Sequence, residues 1–321
     1  MRMTLWHRSS KLAYLAVFVG VLGHSSSEFI SVLSGIDGPE LSVWRFVLGG
    51  TGLVVLALFF PGSRNLIAPF RTFGLRLIIL SALGVTTAYL FFHWSLNFAS
   101  VVQVATVVTT IPIFVALANL IINRQPITFG KTINAICAIV GIVLLITDGY
   151  FTRLTGSAGS LLGVFMAIAC AAAVASYSVM VRPVITEFGA LRITAITMFI
   201  GSIGLWLVVG LFFDIWVEPA RLTELEIQSL VALGAIAFFN TTLTQFLWIG
   251  GLAAVPDITR GSYLFFLKPA IASLLAVMIL DQELTLTQLL SIVIISCSVF
   301  AEVLAGKLRV LALVFRNIDP Q

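Results

Sequence analysis

Charge is what this chain has least of. Lys, Arg, Asp and Glu make up 10% of its 321 residues, and only three His and three Cys accompany them. A soluble domain carries about 25% charged residues, so a water-exposed fold is excluded. Cys137, Cys170 and Cys297 are scattered through apolar runs. That spacing rules out a disulfide framework or a zinc centre and reads as small buried hydrophobes. Neither a Gly-rich nucleotide fingerprint nor an HExxH is present, and no paired acidic and histidine motif marks an intramembrane protease. No metal and no cofactor is therefore expected. The longest polar connector, near 214–226, is too short to fold alone.

What fills the chain is hydrocarbon. Hydrophobic residues make up 60%, and mean hydropathy is +1.10. A bilayer crossing takes about 20 apolar residues. Ten runs near that length lie at 12–33, 41–60, 75–98, 101–122, 127–147, 157–180, 190–213, 227–249, 256–280 and 285–305. Lipid supplies no partner for backbone N–H and C=O groups, so the spans are expected to be helical. The fold class is all-α, a polytopic membrane protein with ten spans. The first run follows Arg2, Arg8 and Lys11 but is too long for a signal-peptide core, and it reads as a retained span.

Net charge is +4, and its distribution sets topology. With the N-terminus inside, 13 of the 18 Lys and Arg fall on the inner side and two, Arg153 and Arg221, on the outer. Arg45, Arg260 and Lys268 lie in or beside spans. That bias predicts cytoplasmic termini and residence in the cytoplasmic (inner) membrane. No basic stripe interleaved with aromatics points to nucleic acid.

A shift of 157 residues superposes Pro112 on Pro269, and Gln125-Pro-Ile-Thr128 on Gln282-Glu-Leu-Thr285. The chain thus divides into a tail (1–11), a first five-helix repeat (12–147), a linker (148–156), a second repeat (157–306) and a tail (307–321). Five spans per half is odd, so the second half enters from the opposite face. Inverted repeats with a midplane site are characteristic of secondary transporters.

Leu90-Phe-Phe-His-Trp-Ser-Leu-Asn-Phe-Ala-Ser100, Ile111-Pro-Ile-Phe114, Arg124-Gln-Pro-Ile-Thr128 and Ala138-Ile-Val-Gly-Ile142 follow one another in the first half. Leu264-Phe-Phe-Leu-Lys-Pro269 and Leu280-Asp-Gln-Glu-Leu-Thr285 answer them in the second, and Trp44-Arg45-Phe46 stands in the second span. This order resembles the EamA repeat of the drug/metabolite transporter superfamily over roughly 12–305. The resemblance implies transport of amino acids or related metabolites. Gln125 and Gln282 stand where the family usually has Glu, Lys268 is unusual before the proline, and the last span lacks a counterpart of Gly141.

A charge in hydrocarbon costs at least a few kcal/mol, so intramembrane polar groups mark sites. Lys268 sits at mid-span before Pro269, which disfavours helix at the residue it follows. Lys268, Tyr263, His93, Trp94, Asn240, Gln245 and Thr106 are the candidate substrate-binding residues. Glu28 and His24, one turn apart, together with Arg45, are candidates for proton coupling or ion pairing. Pro112 and Pro269 are candidate hinges. Structural ion pairs and interhelical hydrogen bonds are the competing reading of the same groups.

The function expected is secondary transport of a small organic metabolite by alternating access, with export favoured. The cavity would be lined by spans 1, 3, 4, 6, 8 and 9. The expected partners are the substrate, the bilayer and a proton, in a monomer or homodimer. A membrane-embedded enzyme, or a channel, using Glu28, His24 and Lys268 is the alternative.

Overall fold

The computed structural model describes residues 9–36, 38–99, 101–147, 158–280 and 283–316. The proposed linker and the ends of both tails lie outside these, as does the side chain of Glu28. Among the described residues the protein is helical, with no strand. Its helices are α1 (Ser10–Ser25), α2 (Ser27–Leu33), α3 (Gly38–Phe59), α4 (Ala68–Ser95), α5 (Val101–Val108), α6 (Ile111–Asn123), α7 (Phe129–Thr147) and α8 (Ala158–Phe188). There follow α9 (Ala190–Phe213), α10 (Ile227–Ala254), α11 (Ile258–Ser262), α12 (Lys268–Leu280) and α13 (Leu286–Arg316).

Seven helices are long and apolar enough to cross a membrane, and Ser10–Ser25 and Leu286–Ala301 are shorter apolar helices. The run expected at 12–33 is divided at Ser26, and that at 256–280 becomes α11, a 3-10 turn (Tyr263–Leu267) and α12. The first division follows from the serines. The Ser25, Ser26 and Ser27 hydroxyls donate to the carbonyls of Val21 (2.7 Å), Gly23 (3.0 Å) and His24 (2.9 Å). Such back-bonding competes with the helical ladder and bends the chain.

Two long helices carry π-helical turns, Ala82–Thr87 in α4 and Ile236–Leu243 in α10. The wide turn displaces carbonyls from the helical ladder. Thr241 and Thr242 recover two of them, donating to Ile236 O (3.0 Å) and Ala237 O (3.2 Å).

α3 packs on α9, α7 on α13, α1 on α10, and α4 and α6 on α8. Lipid offers no hydrophobic drive between helices, so close approach depends on small residues. A Cβ on Gly20 would stand 3.0 Å from the Trp248 backbone, and one on Gly251 2.9 Å from Val17 N. Glycines on both partners therefore set the α1–α10 contact. A Cβ on Gly163 would stand 2.6 Å from that of Ala99.

Candidate functional site

The helix breaks at Ser26, between α5 and α6, and at the 3-10 turn border one cavity. It is partly open, with about 430 Å³ of empty space that includes the solvent at its mouth, and is lined by His24, Ser27, Arg45, Tyr89, Phe92, Val108, Ile111, Cys170, Val174, Trp248, Phe265 and Lys268. The lining therefore draws on α1, α2, α3, α4, α5, α6, α8, α10, the 3-10 turn and α12. These include every span expected to line it, and α3 in addition.

Lys268 opens α12 directly after the 3-10 turn, is 6% exposed, and holds Nζ 5.6 Å from the centre of the Phe265 ring. Arg45 does not snorkel to an interface, because α3 turns it inward, where it is 1% exposed. Its guanidinium lies 5.5 Å from the Phe46 ring and 5.6 Å from that of Tyr89. Its Nε donates to Thr241 Oγ1 at 3.0 Å. The wide turn of α10 thus offers the hydroxyl that orients Arg45. Gly49 makes room, since a Cβ there would strike Thr241. His24 is buried edge-on to Trp248 (5.8 Å) and Phe265 (5.6 Å), and among the described residues its Nε2 has no hydrogen-bond partner.

The other expected residues lie around this cavity and not in its lining. Gln245 donates to the Tyr89 hydroxyl and so holds a residue that does line it. Asn240 donates to Gly23 O and to Ser26 Oγ (3.0 Å), pinning the α1–α2 bend. It is fully buried. His93 has Ser42 Oγ at 2.6 Å from Nδ1 and is fully buried. Trp94 stacks edge-on against Phe213 at 4.8 Å, and Thr106 is half-buried on α5. Tyr263 donates to the Lys131 carbonyl at 2.7 Å, which places its hydroxyl at the end of the bundle. Pro112 and Pro269 each stand in the first turn of a new helix, after a two-residue turn and a 3-10 turn respectively. A missing N–H is harmless there.

That end of the bundle holds a second polar cluster. Lys131 Nζ meets Asp257 Oδ2 at 2.6 Å. Asp257 also caps α11, accepting from the Arg260 backbone N–H (3.1 Å) through its other oxygen. The spacing of Asp257 and Arg260 suggests a side-chain pair or gate, but the carboxylate's ionic partner is Lys131. Arg182 donates to the carbonyls of Ala253 (3.1 Å) and Val255 (2.5 Å), closing the C-terminus of α10. Asn119 donates to Gln125 Oε1 (3.0 Å) and Thr259 Oγ1 (3.2 Å). The lining residues Tyr89, Phe92, Cys170, Trp248 and Phe265 were not marked by sequence, because aromatic and apolar side chains look alike in a lipid-facing helix.

The sequence profile of the EamA-like transporter family matches residues 11–147 and 161–303. An uncharacterized transporter of Bacillus subtilis, YyaM, is 25% identical over 274 residues, 83% of this chain and 86% of its own length. Uncharacterized transporters of Archaeoglobus fulgidus (22% over 213 residues; 66% and 71%) and Clostridium kluyveri (19% over 291 residues; 89% and 91%) are also similar. A solved crystal structure, 17% identical, superposes with a TM-score of 0.76 over 97% of this chain and all of that one.

Proposed function

Since the chain belongs to the EamA-like transporter family, a branch of the drug/metabolite transporter superfamily and thus multi-pass membrane proteins moving small molecules, we propose that it is a secondary carrier. It moves amino acids or related metabolites across the cytoplasmic membrane by alternating access, with export favoured and a proton as the coupling ion. One observation carries this reading: a cavity with two buried cations in its lining draws residues from both matched regions and sits at the helix breaks.

Ten spans in two inverted repeats, 12–147 and 157–306, are part of the proposal. Helix irregularities support it. The wide turn at 82–87, moved by 157 residues, overlaps that at 236–243, and the 3-10 turn 263–267 answers the end of α5 and the turn after it. Packing supports it too. α1 on α10 and α8 on α4 are one contact under the exchange of halves, while α3 on α9 and α7 on α13 map onto themselves. With both termini cytoplasmic, the Lys131–Asp257 cluster lies at the inner end and holds it closed.

The test is reconstitution. Purified protein in liposomes should give saturable uptake and counterflow of an unaltered substrate. Linear flux would favour a channel, and a protein-dependent chemical product would favour an enzyme.

A further inference from the structure

On the carrier reading, the cavity's charge and walls narrow its cargo. Arg45 and Lys268 both line it, and each lies 5.6 Å from the centre of an aromatic ring that lines it too, Tyr89 and Phe265. Among the described lining residues none is acidic. Glu28 follows Ser27 in the chain, yet one carboxylate against two cations leaves the region net positive.

His24 provides an independent observation. It is 7% exposed, lines the cavity, and its Nε2 has no hydrogen-bond partner among the described residues. Buried polar atoms are ordinarily paired. An unpaired ring nitrogen in a cavity wall marks a position for a polar atom of a guest. Beside it, the rings of Trp248 and Phe265 stand 5.0 Å apart and offer an apolar wall.

A zwitterion brings no net charge to set against the positive excess. A monoanion neutralises it. Arg and Lys in one cavity lining suit a carboxylate, the first as a planar fork and the second as a point charge. We propose that, among amino acids and related metabolites, the cavity prefers the organic monoanions, a single carboxylate on a flat apolar body. Arg45 and Lys268 receive the carboxylate, His24 a neighbouring polar atom, and the Trp248–Phe265 wall the body.

Three probes on one skeleton separate the charge types: phenylalanine, 3-phenylpropanoate (which lacks the ammonium) and phenethylamine (which lacks the carboxylate). Binding to the purified full chain is read by thermal shift and by tryptophan fluorescence, and transport by counterflow in proteoliposomes. 3-Phenylpropanoate should bind at least about tenfold more tightly than phenylalanine, and phenethylamine should not saturate. Lys268→Gln should weaken 3-phenylpropanoate by about tenfold or more, while Arg45→Lys should retain part of its affinity. Equal or tighter binding of phenylalanine or phenethylamine, or no binding of 3-phenylpropanoate, overturns the inference whether or not the variants fold. 3-Phenylpropanoate that binds but never exchanges would overturn the carrier reading and leave the anion site standing.

Discussion

Lys131 and Asp257, 126 residues apart in sequence, meet at 2.6 Å and tie the start of α7 to the cap of α11. Both are largely withdrawn from solvent, with side chains 10% and 23% exposed. A charge-assisted hydrogen bond of this kind is worth about 1.5–3 kcal/mol. It joins the two regions matched by the family profile at the end proposed to face the cytoplasm.

Removing that pair should loosen the inner closure. In a background with Cys137 and Cys297 replaced by Ser, Cys170 is the remaining thiol, and it lines the cavity. With Asp257→Asn, Cys170 should be alkylated several-fold faster by a membrane-impermeant reagent applied to inside-out vesicles. An unchanged rate would show that the pair does not hold the closure.

Lys268→Met should leave insertion and expression intact and remove most uptake. Lys268→Arg should recover only part, because a planar fork does not replace a compact ammonium. The double change Lys268→Met with Glu28→Gln separates two roles. Restored uptake would make Lys268 a structural partner of Glu28. Continued loss, with normal expression, would assign it to the cargo.

Two glycines on α10 should respond oppositely to Ala. At Gly251 the new Cβ meets the α1 backbone, at 2.9 Å from Val17 N and 3.1 Å from Ala13 O. Overpacking of this kind costs about 1–3 kcal/mol. At Gly234 nothing lies within 4 Å, so Ala should be neutral or stabilising by up to about 1 kcal/mol. Thermal unfolding in detergent measures both, and similar shifts for the two variants would refute the close α1–α10 contact.

Topology can be read directly. Reporter fusions after residue 150 should report the outside and fusions after residue 187 the inside. A cytoplasmic signal at 150 would overturn the five-plus-five inversion.

The apolar runs were legible because a bilayer demands about 20 of them in a row, and no other solvent does. Lys268 and Arg45 were legible as residues of a cavity or a polar contact because hydrocarbon tolerates a cation only there, and both line the cavity. Tyr89 and Trp248 were not, since aromatic residues also face lipid and carry no mark of which way they turn. The wide turns in α4 and α10 were hidden because one inserted residue leaves the apolar pattern intact. Lys131 counts in the sequence only as one more inner basic residue, since its partner is named by the fold alone. The serines of the first span carry no site signal, since the hydroxyls of Ser25, Ser26 and Ser27 serve carbonyls of the same span.

The wide turn of α10 has a consequence for the energetics of opening. A helix that bends inside a bilayer exposes backbone groups that lipid cannot satisfy, at several kcal/mol each. Here the displaced carbonyls already rest on the hydroxyls of Thr241 and Thr242, and Thr242 donates also to Gly49 O on α3 at 2.9 Å. The bend is therefore prefabricated. On the carrier reading, its hydrogen bonds can trade between acceptors as the helix flexes, and opening then avoids the desolvation that an unbroken helix would incur.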